Sequence, residues 1–146
     1  MTNNDLDRLS AHLANRFPEL EICALIGSRA RGDAHPNSDW DFAIQWPKAP
    51  NDTWSTLTQT ETLRLDLANW LSVPPEAIDL VELPTAGLAM RGAVAEEGRP
   101  LITRLPWFHF LSRTWRDLEE HYWNDVYKQD QTTPENQRAS RSRICL

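Results

Sequence analysis

Two aspartates one residue apart, Asp39 and Asp41, follow a Gly27-Ser28 pair, with ten residues between Ser28 and Asp39. If the chain is extended from 39 to 44, alternate residues share a face, so the two carboxylates point the same way. Two such groups repel and raise one another's pKa, and a bound cation is the ordinary relief. Hard oxygen donors at a strand edge suit magnesium, which keeps several waters and shares its coordination sphere with substrate phosphates. The front of the same loop supplies the phosphate side. Gly27 lets the backbone approach a ligand closely, Ser28 offers a hydroxyl, and the amides of residues 28–30 would face an anion. Arg29 and Arg31 would neutralise phosphate charge, with a surface ion pair to Asp33 as the alternative for Arg31.

The elements that must position these groups are short. Leu6, Leu9, Leu13 and Phe17 form one stripe of a first helix over about 5–16, with Asn4 as its cap and Pro18 ending it. Residues 21–26 read as a buried strand and 39–46 as a second, closed by Pro47. A loop at Pro50-Asn51-Asp52, with Asp52 as N-cap, leads to a long amphipathic helix over 53–72 carrying Trp54, Leu57, Leu63, Leu67, Trp70 and Leu71. Pro74-Pro75 stops it. Residues 77–83 form a third strand in which Asp79 shares a face with Val81, opposite Ile78 and Leu80; Glu82 falls on the other face. Asp79 therefore projects toward the first acid pair if the strands are neighbours, and otherwise into solvent.

A short helix over 85–97 ends at Gly98, an edge strand covers 100–103, and a helix runs over 107–128. On this last helix Phe108, Leu111, Trp115, Leu118, Tyr122 and Val126 make one stripe, expected to pack in the core or to anchor a partner. Residues 129–146 are polar and without periodicity, and read as a disordered tail. The chain has no internal repeat.

Competing readings of the acidic loop are weak. A calcium-binding EF-hand needs a central glycine and a twelfth-position glutamate, and DAHPNSDWDFAI supplies neither. His35 at the loop tip reads as solvated, and His12, His109 and His121 lie on predicted helices without companions. With 146 residues and 40% hydrophobic composition the chain suits one domain over 1–128 plus the tail. A formal charge of −6 excludes a general nucleic-acid binder. It favours a metal-bound nucleotide or a protein with a basic patch as ligand. Cys23 and Cys145 form neither a disulfide framework nor a zinc pattern, the N-terminus has no signal-peptide character, and no apolar run reaches ~20 residues. The expected setting is a reducing cytoplasm, away from membranes.

The Gly27-Ser28 pair, the run from Arg29 through Ala30, Arg31 and Gly32 to Asp33, and Ser38-Asp39-Trp40-Asp41 together resemble the signature of the minimal nucleotidyltransferases, relatives of DNA polymerase β. More narrowly they resemble the antitoxins of that group paired with HEPN-domain toxins. The likeness spans about residues 20–103. It implies an α/β (α+β) fold, a small mixed sheet flanked by helices. It implies transfer of AMP from ATP to a hydroxyl, here a tyrosine of a HEPN toxin bound as a hetero-oligomer. Two magnesium ions would be held by Asp39 and Asp41, with Asp79 as third ligand and base, and Gly27, Ser28, Arg29 and Arg31 would hold the phosphates. Two other readings stand beside it: a small-molecule nucleotidyltransferase of the aminoglycoside-modifying kind, and an antitoxin with an idle site that neutralises its partner by binding.

Overall fold

The computed structural model describes residues 1–48 and 53–132 of the chain. Four strands, β1 (Ile22–Ile26), β2 (Trp40–Gln45), β3 (Ile78–Glu82) and β4 (Arg99–Ile102), form one sheet in the order β3-β2-β1-β4. β1 pairs antiparallel with β2 and with β4, while β2 and β3 run parallel. The parallel pair requires a crossover, and the helix α3 (Thr53–Leu71) supplies it. The sheet is therefore mixed and flanked by helices, the α+β architecture expected of the sequence.

Residue parity divides the sheet into two packed faces. Cys23 and Leu25 of β1, Trp40, Phe42 and Ile44 of β2, and Ile78 of β3 meet helix α1 (Asn3–Arg16) through Leu9 and Leu13, and α3 through Leu63 and Leu67. Ile22, Ala24 and Ile26 of β1 and Ala43 of β2 face the opposite way, toward Val94 of α4 (Leu88–Glu97) and Trp107 and Phe110 of α5 (Leu105–Thr132). With helices on both faces, β1 has no solvent side and every residue of it is buried. Burial pushes the Cys23 thiol up to about 12, so it stays an unreactive packing group.

Several local expectations shift. Thr2, not Asn4, caps α1: its hydroxyl accepts from the Asp5 amide at 3.2 Å, and the Asp5 carboxylate accepts from the Thr2 amide at 3.0 Å. This reciprocal pair satisfies two otherwise orphaned groups, and Asn4 lies inside the helix. His12 does have a companion, for its Nε2 lies 2.7 Å from Asp66 Oδ2 and links α1 to α3. Two 3-10 turns, Pro75–Ala77 and Leu83–Thr85, bracket β3, so α4 starts three residues later than periodicity suggests. On α5 the buried side chains are Trp107, Phe110 and Thr114, whereas Phe108, Trp115, Tyr122 and Val126 of the anticipated stripe are exposed. The helix continues through residues 129–132, past the point where the tail was expected. The loop and cap at 50–52, residues 133–146 and Cys145 lie outside the described residues. Among the described residues no helix is long and apolar enough to cross a membrane.

Candidate active site

The site is built where β1 ends and β2 begins. At Gly27 the chain leaves β1 with φ +73°, enters the five-residue helix α2 (Gly27–Arg31), and leaves it at Gly32 with φ +85°. Both turns need a left-handed backbone, which glycine adopts without strain. The return loop is tied down by Arg29, whose guanidinium donates to the carbonyls of Pro36 at 3.2 Å and Ser38 at 2.9 Å. The same group lies 4.4 Å from the ring centre of Trp40, a cation–π contact. The His35 amide donates to Ser38 Oγ at 2.9 Å and closes the tip. So anchored, the loop delivers the chain into β2 with Trp40 turned to the α1/α3 core and Asp41 to the opposite face.

Asp41 pairs in register with Ile26 of β1 on one side and with Asp79 of β3 on the other. Its carboxylate rests against the α-carbon of Gly27, where a Cβ would stand 2.5 Å from Oδ2. Burial first, then the charges of Asp79 and Asp39, raise the Asp41 pKa above the ordinary carboxylate range; Arg31 pulls it the other way. Arg31 itself donates to Asp33 Oδ2 and to Glu97 Oε2, each at 3.3 Å, and so ties α2 to the end of α4. Between these groups lies a cleft of about 250 Å³, lined by Gly27, Arg31, Asp41 and Asp79 and covered by Met90, Ala93 and Glu97 of α4. Arg64 of α3 donates to the Ile78 carbonyl, which fixes the strand one residue before Asp79.

Four of the residues singled out in the sequence thus line one cleft: Gly27, Arg31, Asp41 and Asp79. Asp39 precedes β2 rather than joining it and is exposed, yet is near enough to raise Asp41. Ser28 sits in the first turn of α2, half-buried. Arg29 stands apart, committed to the loop and to Trp40. Glu82 lines a different hollow, with Gln45, Trp46 and Thr56. Met90, Ala93 and Glu97 escaped the sequence reading, because nothing in their spacing ties α4 to a loop some sixty residues earlier.

The donor set fits magnesium in kind. It offers hard oxygens, and the raised Asp41 pKa marks negative charge that a cation would relieve. Among the described residues no three His, Cys, Asp or Glu side chains are grouped so as to hold a metal ion by themselves. An ion here would complete its shell with water and substrate oxygens, as magnesium commonly does.

Residues 9–105 match the family model described as polymerase beta, nucleotidyltransferase. The chain belongs to this nucleotidyltransferase family. It is 29% identical over 99 residues to the protein adenylyltransferase MntA of Aphanizomenon flos-aquae (strain 2012/KM1/D3), a match covering 66% of this chain and 66% of that protein. A crystal structure of a toxin–antitoxin with AMP-PNP superposes with a TM-score of 0.54 at 25% identity, over 88% of this chain and 98% of that one. A structure of the tri-AMPylated Shewanella oneidensis HEPN toxin in complex with its MNT antitoxin matches with a TM-score of 0.50 at 21% identity, over 88% and 98% of the two chains. The two solved structures share the fold of this chain.

Proposed function

We propose that this chain is a magnesium-dependent adenylyltransferase that moves AMP from ATP onto a tyrosine hydroxyl of a HEPN-type toxin and thereby silences it. The observation that carries the reading is the direct pairing of Asp41 with Asp79 across β2 and β3, beside the Gly27 backbone turn. The similarity to an adenylyltransferase, and to a toxin–antitoxin pair holding an ATP analogue, supports the choice of reaction and partner.

The β- and γ-phosphates lie along the start of α2, where the amides of residues 28–30, the Ser28 hydroxyl and Arg31 meet them. To reach them Arg31 exchanges its carboxylate partners, Asp33 and Glu97, for phosphate oxygens. The acceptor hydroxyl approaches the α-phosphorus from the side of Asp79, which takes its proton, and pyrophosphate departs toward α2. Asp39, Asp41 and Asp79 would hold magnesium, which supplies charge neutralisation for the attacking and leaving oxygens when bound.

A second reading, neutralisation by binding alone, draws on the exposed Tyr122, Trp123 and Tyr127 near the end of α5, aromatic residues of the kind that anchor interfaces. One experiment separates the two. A catalytic amount of the protein, incubated with toxin, ATP and magnesium, leaves the toxin heavier by AMP and inactive after separation if the chain is an enzyme. Unchanged toxin mass, with neutralisation only at stoichiometric ratio, would refute the enzymatic reading.

A further inference from the structure

The cleft beside Asp41 and Asp79 has two unlike ends, and the run of α4 decides which is which. α4 begins just after β3, at one edge of the sheet, and ends at Glu97, from which Gly98 leads into β4 at the other edge. Its last turn is tied to α2 by the 3.3 Å contact between Arg31 and Glu97. That end carries the charged pair and lies over the Gly27 turn, with Ile26 and Val94 beneath it. Ala93 and Met90 occupy the same helix face one and two turns earlier, with Met90 about 10 Å back along the axis at the helical rise. There they join Val81, which shares with Asp79 the open face of β3. Met90 is 41% exposed although it borders two carboxylates, so part of its apolar surface is open to a ligand.

We propose that this apolar end, formed by Val81, Met90 and Ala93, seats the aromatic ring of the acceptor rather than the adenine of the nucleotide, and so selects a phenolic hydroxyl. The inference rests on the nucleotidyl-transfer reading above. In-line displacement at phosphorus puts the entering and leaving oxygens on opposite sides. Pyrophosphate leaves toward α2, so the entering oxygen comes from the β3 side, where the apolar wall is. The phenolic oxygen bonds to the α-phosphorus as the bond from that phosphorus to the bridging oxygen breaks. The electron pair leaves with pyrophosphate, and the phenol proton passes to the Asp79 carboxylate.

Size and polarity narrow the acceptor further. At about 250 Å³ the cleft is smaller than the roughly 300–1,000 Å³ pockets that hold a drug-sized molecule, so it takes one ring and not a whole nucleoside besides. A serine hydroxyl would have to bring its own peptide groups against Met90 and Ala93, leaving them without hydrogen-bond partners. A polycationic sugar would meet the same wall with hydroxyls and ammonium groups. A tyrosine lays its ring on the wall, with a favourable thioether contact to Met90, and carries its oxygen down to Asp79.

The test uses Met90 as its own reporter, since the chain has only two methionines, Met1 and Met90. The full chain, labelled with methyl-13C methionine and saturated with magnesium and AMP-PNP, is titrated with N-acetyl-tyrosinamide, and with N-acetyl-serinamide as control. The Met90 methyl signal is expected to move upfield with the tyrosine probe only. Ala93→Phe, a change on an exposed helix position, should weaken the tyrosine probe about tenfold or more while altering AMP-PNP affinity less than about twofold. An upfield ring-current shift of Met90 on adding AMP-PNP alone would place adenine in the slot and overturn the proposal. So would the absence of any tyrosine-dependent shift up to the solubility of the probe. Failure of AMP-PNP to bind at all, read by calorimetry before the titration, is a separate result that removes the functional reading and this inference with it.

Discussion

Gly27 and Asp41 touch so closely that the glycine is part of the carboxylate's seat: a methyl group on the α-carbon would stand 2.5 Å from Oδ2. The same residue has φ +73°, a conformation that an L side chain enters only with strain. Two independent penalties therefore fall on one substitution. Gly27→Ala is expected to cost about 1–3 kcal/mol of stability through backbone strain and to displace the Asp41 carboxylate. Urea unfolding combined with ATP titration in magnesium checks both effects. Wild-type stability with wild-type affinity would show that the backbone turn at Gly27 relaxes freely.

Asp41 is held against its own interest in the free protein, since burial and the charges of Asp79 and Asp39 disfavour its ionised form. Replacing it by asparagine should stabilise the metal-free protein at neutral pH. The gain stays below about 1 kcal/mol, because solvent screens this partly open cleft, and amounts to a Tm rise of no more than ~4 °C. The sign follows from the raised pKa. In the folded state the proton is held to higher pH than in the unfolded chain, so the wild type is relieved below its unfolded pKa of about 3.9 and penalised as pH rises through its folded value. The advantage of Asp41→Asn should accordingly vanish below that pH. Added magnesium and ATP should reverse the order at neutral pH, by stabilising the wild type and not the variant. Thermal melts at several pH values, with and without magnesium and ATP, give the answer; a variant that is stabilised by the metal–nucleotide complex as much as the wild type would remove Asp41 from the metal site.

Asp79 and Glu82 differ in position although both are exposed acids of β3. Asp79 pairs in register with Asp41 and lines the cleft, and Glu82 pairs with Ile44 and lines another hollow. Asp79→Asn should therefore lower AMP transfer by ~100-fold or more, the scale of a lost base or ligand, and Glu82→Gln should change it less than about threefold. Steady-state transfer rates at saturating ATP rank the pair. The reverse order would move the chemistry to the other face of β3.

What the chain discloses before folding, and what it withholds, follows from the range of each signal. Period-two alternation put Asp79 and Val81 on one face of β3 without any knowledge of the sheet, because side-chain parity is a local property. That β3 lies parallel beside β2, so that Asp41 meets Asp79, depends on the α3 crossover and has no local trace. Helix α5 shows the limit of periodicity. Residues 107, 110 and 114 satisfy helical spacing as well as the expected stripe does, and the approach of α4, where Gly92 brings its backbone against Leu118, takes them into the core while only Leu111 and Leu118 of the stripe pack beside them. Glu97 and Met90 enter the cleft through the same packing. Arg29 is a different case. Its type and place beside a phosphate loop suggest phosphate binding, but the direction a side chain takes from a five-residue helix is fixed by tertiary partners, here two carbonyls and an indole.

Those partners give Arg29 a test of its own. A single terminal nitrogen, Nη2, donates to the carbonyls of both Pro36 and Ser38 while the guanidinium carbon lies over Trp40, a geometry that requires a long arm ending in a flat cation. Lysine keeps the charge and has donors enough for two carbonyls, but its shorter arm and compact ammonium cannot reach both while covering the ring as a flat guanidinium does. If Arg29 acts by fixing the loop that delivers Asp39 and Asp41, Arg29→Lys should behave almost as badly as Arg29→Ala. Both should lose about 1–3 kcal/mol of stability and show faster hydrogen exchange at residues 33–39. The loss of AMP transfer should then appear chiefly in kcat, because the acids are misplaced, with a smaller change in KM for ATP. If Arg29 instead acts as a charge on the triphosphate, lysine should rescue most of the activity, and alanine should raise KM for ATP without loosening the loop. Exchange mass spectrometry of the two variants, read beside their ATP dependence, separates the outcomes. Lysine rescue with an unchanged loop would return Arg29 to the phosphate-binding set.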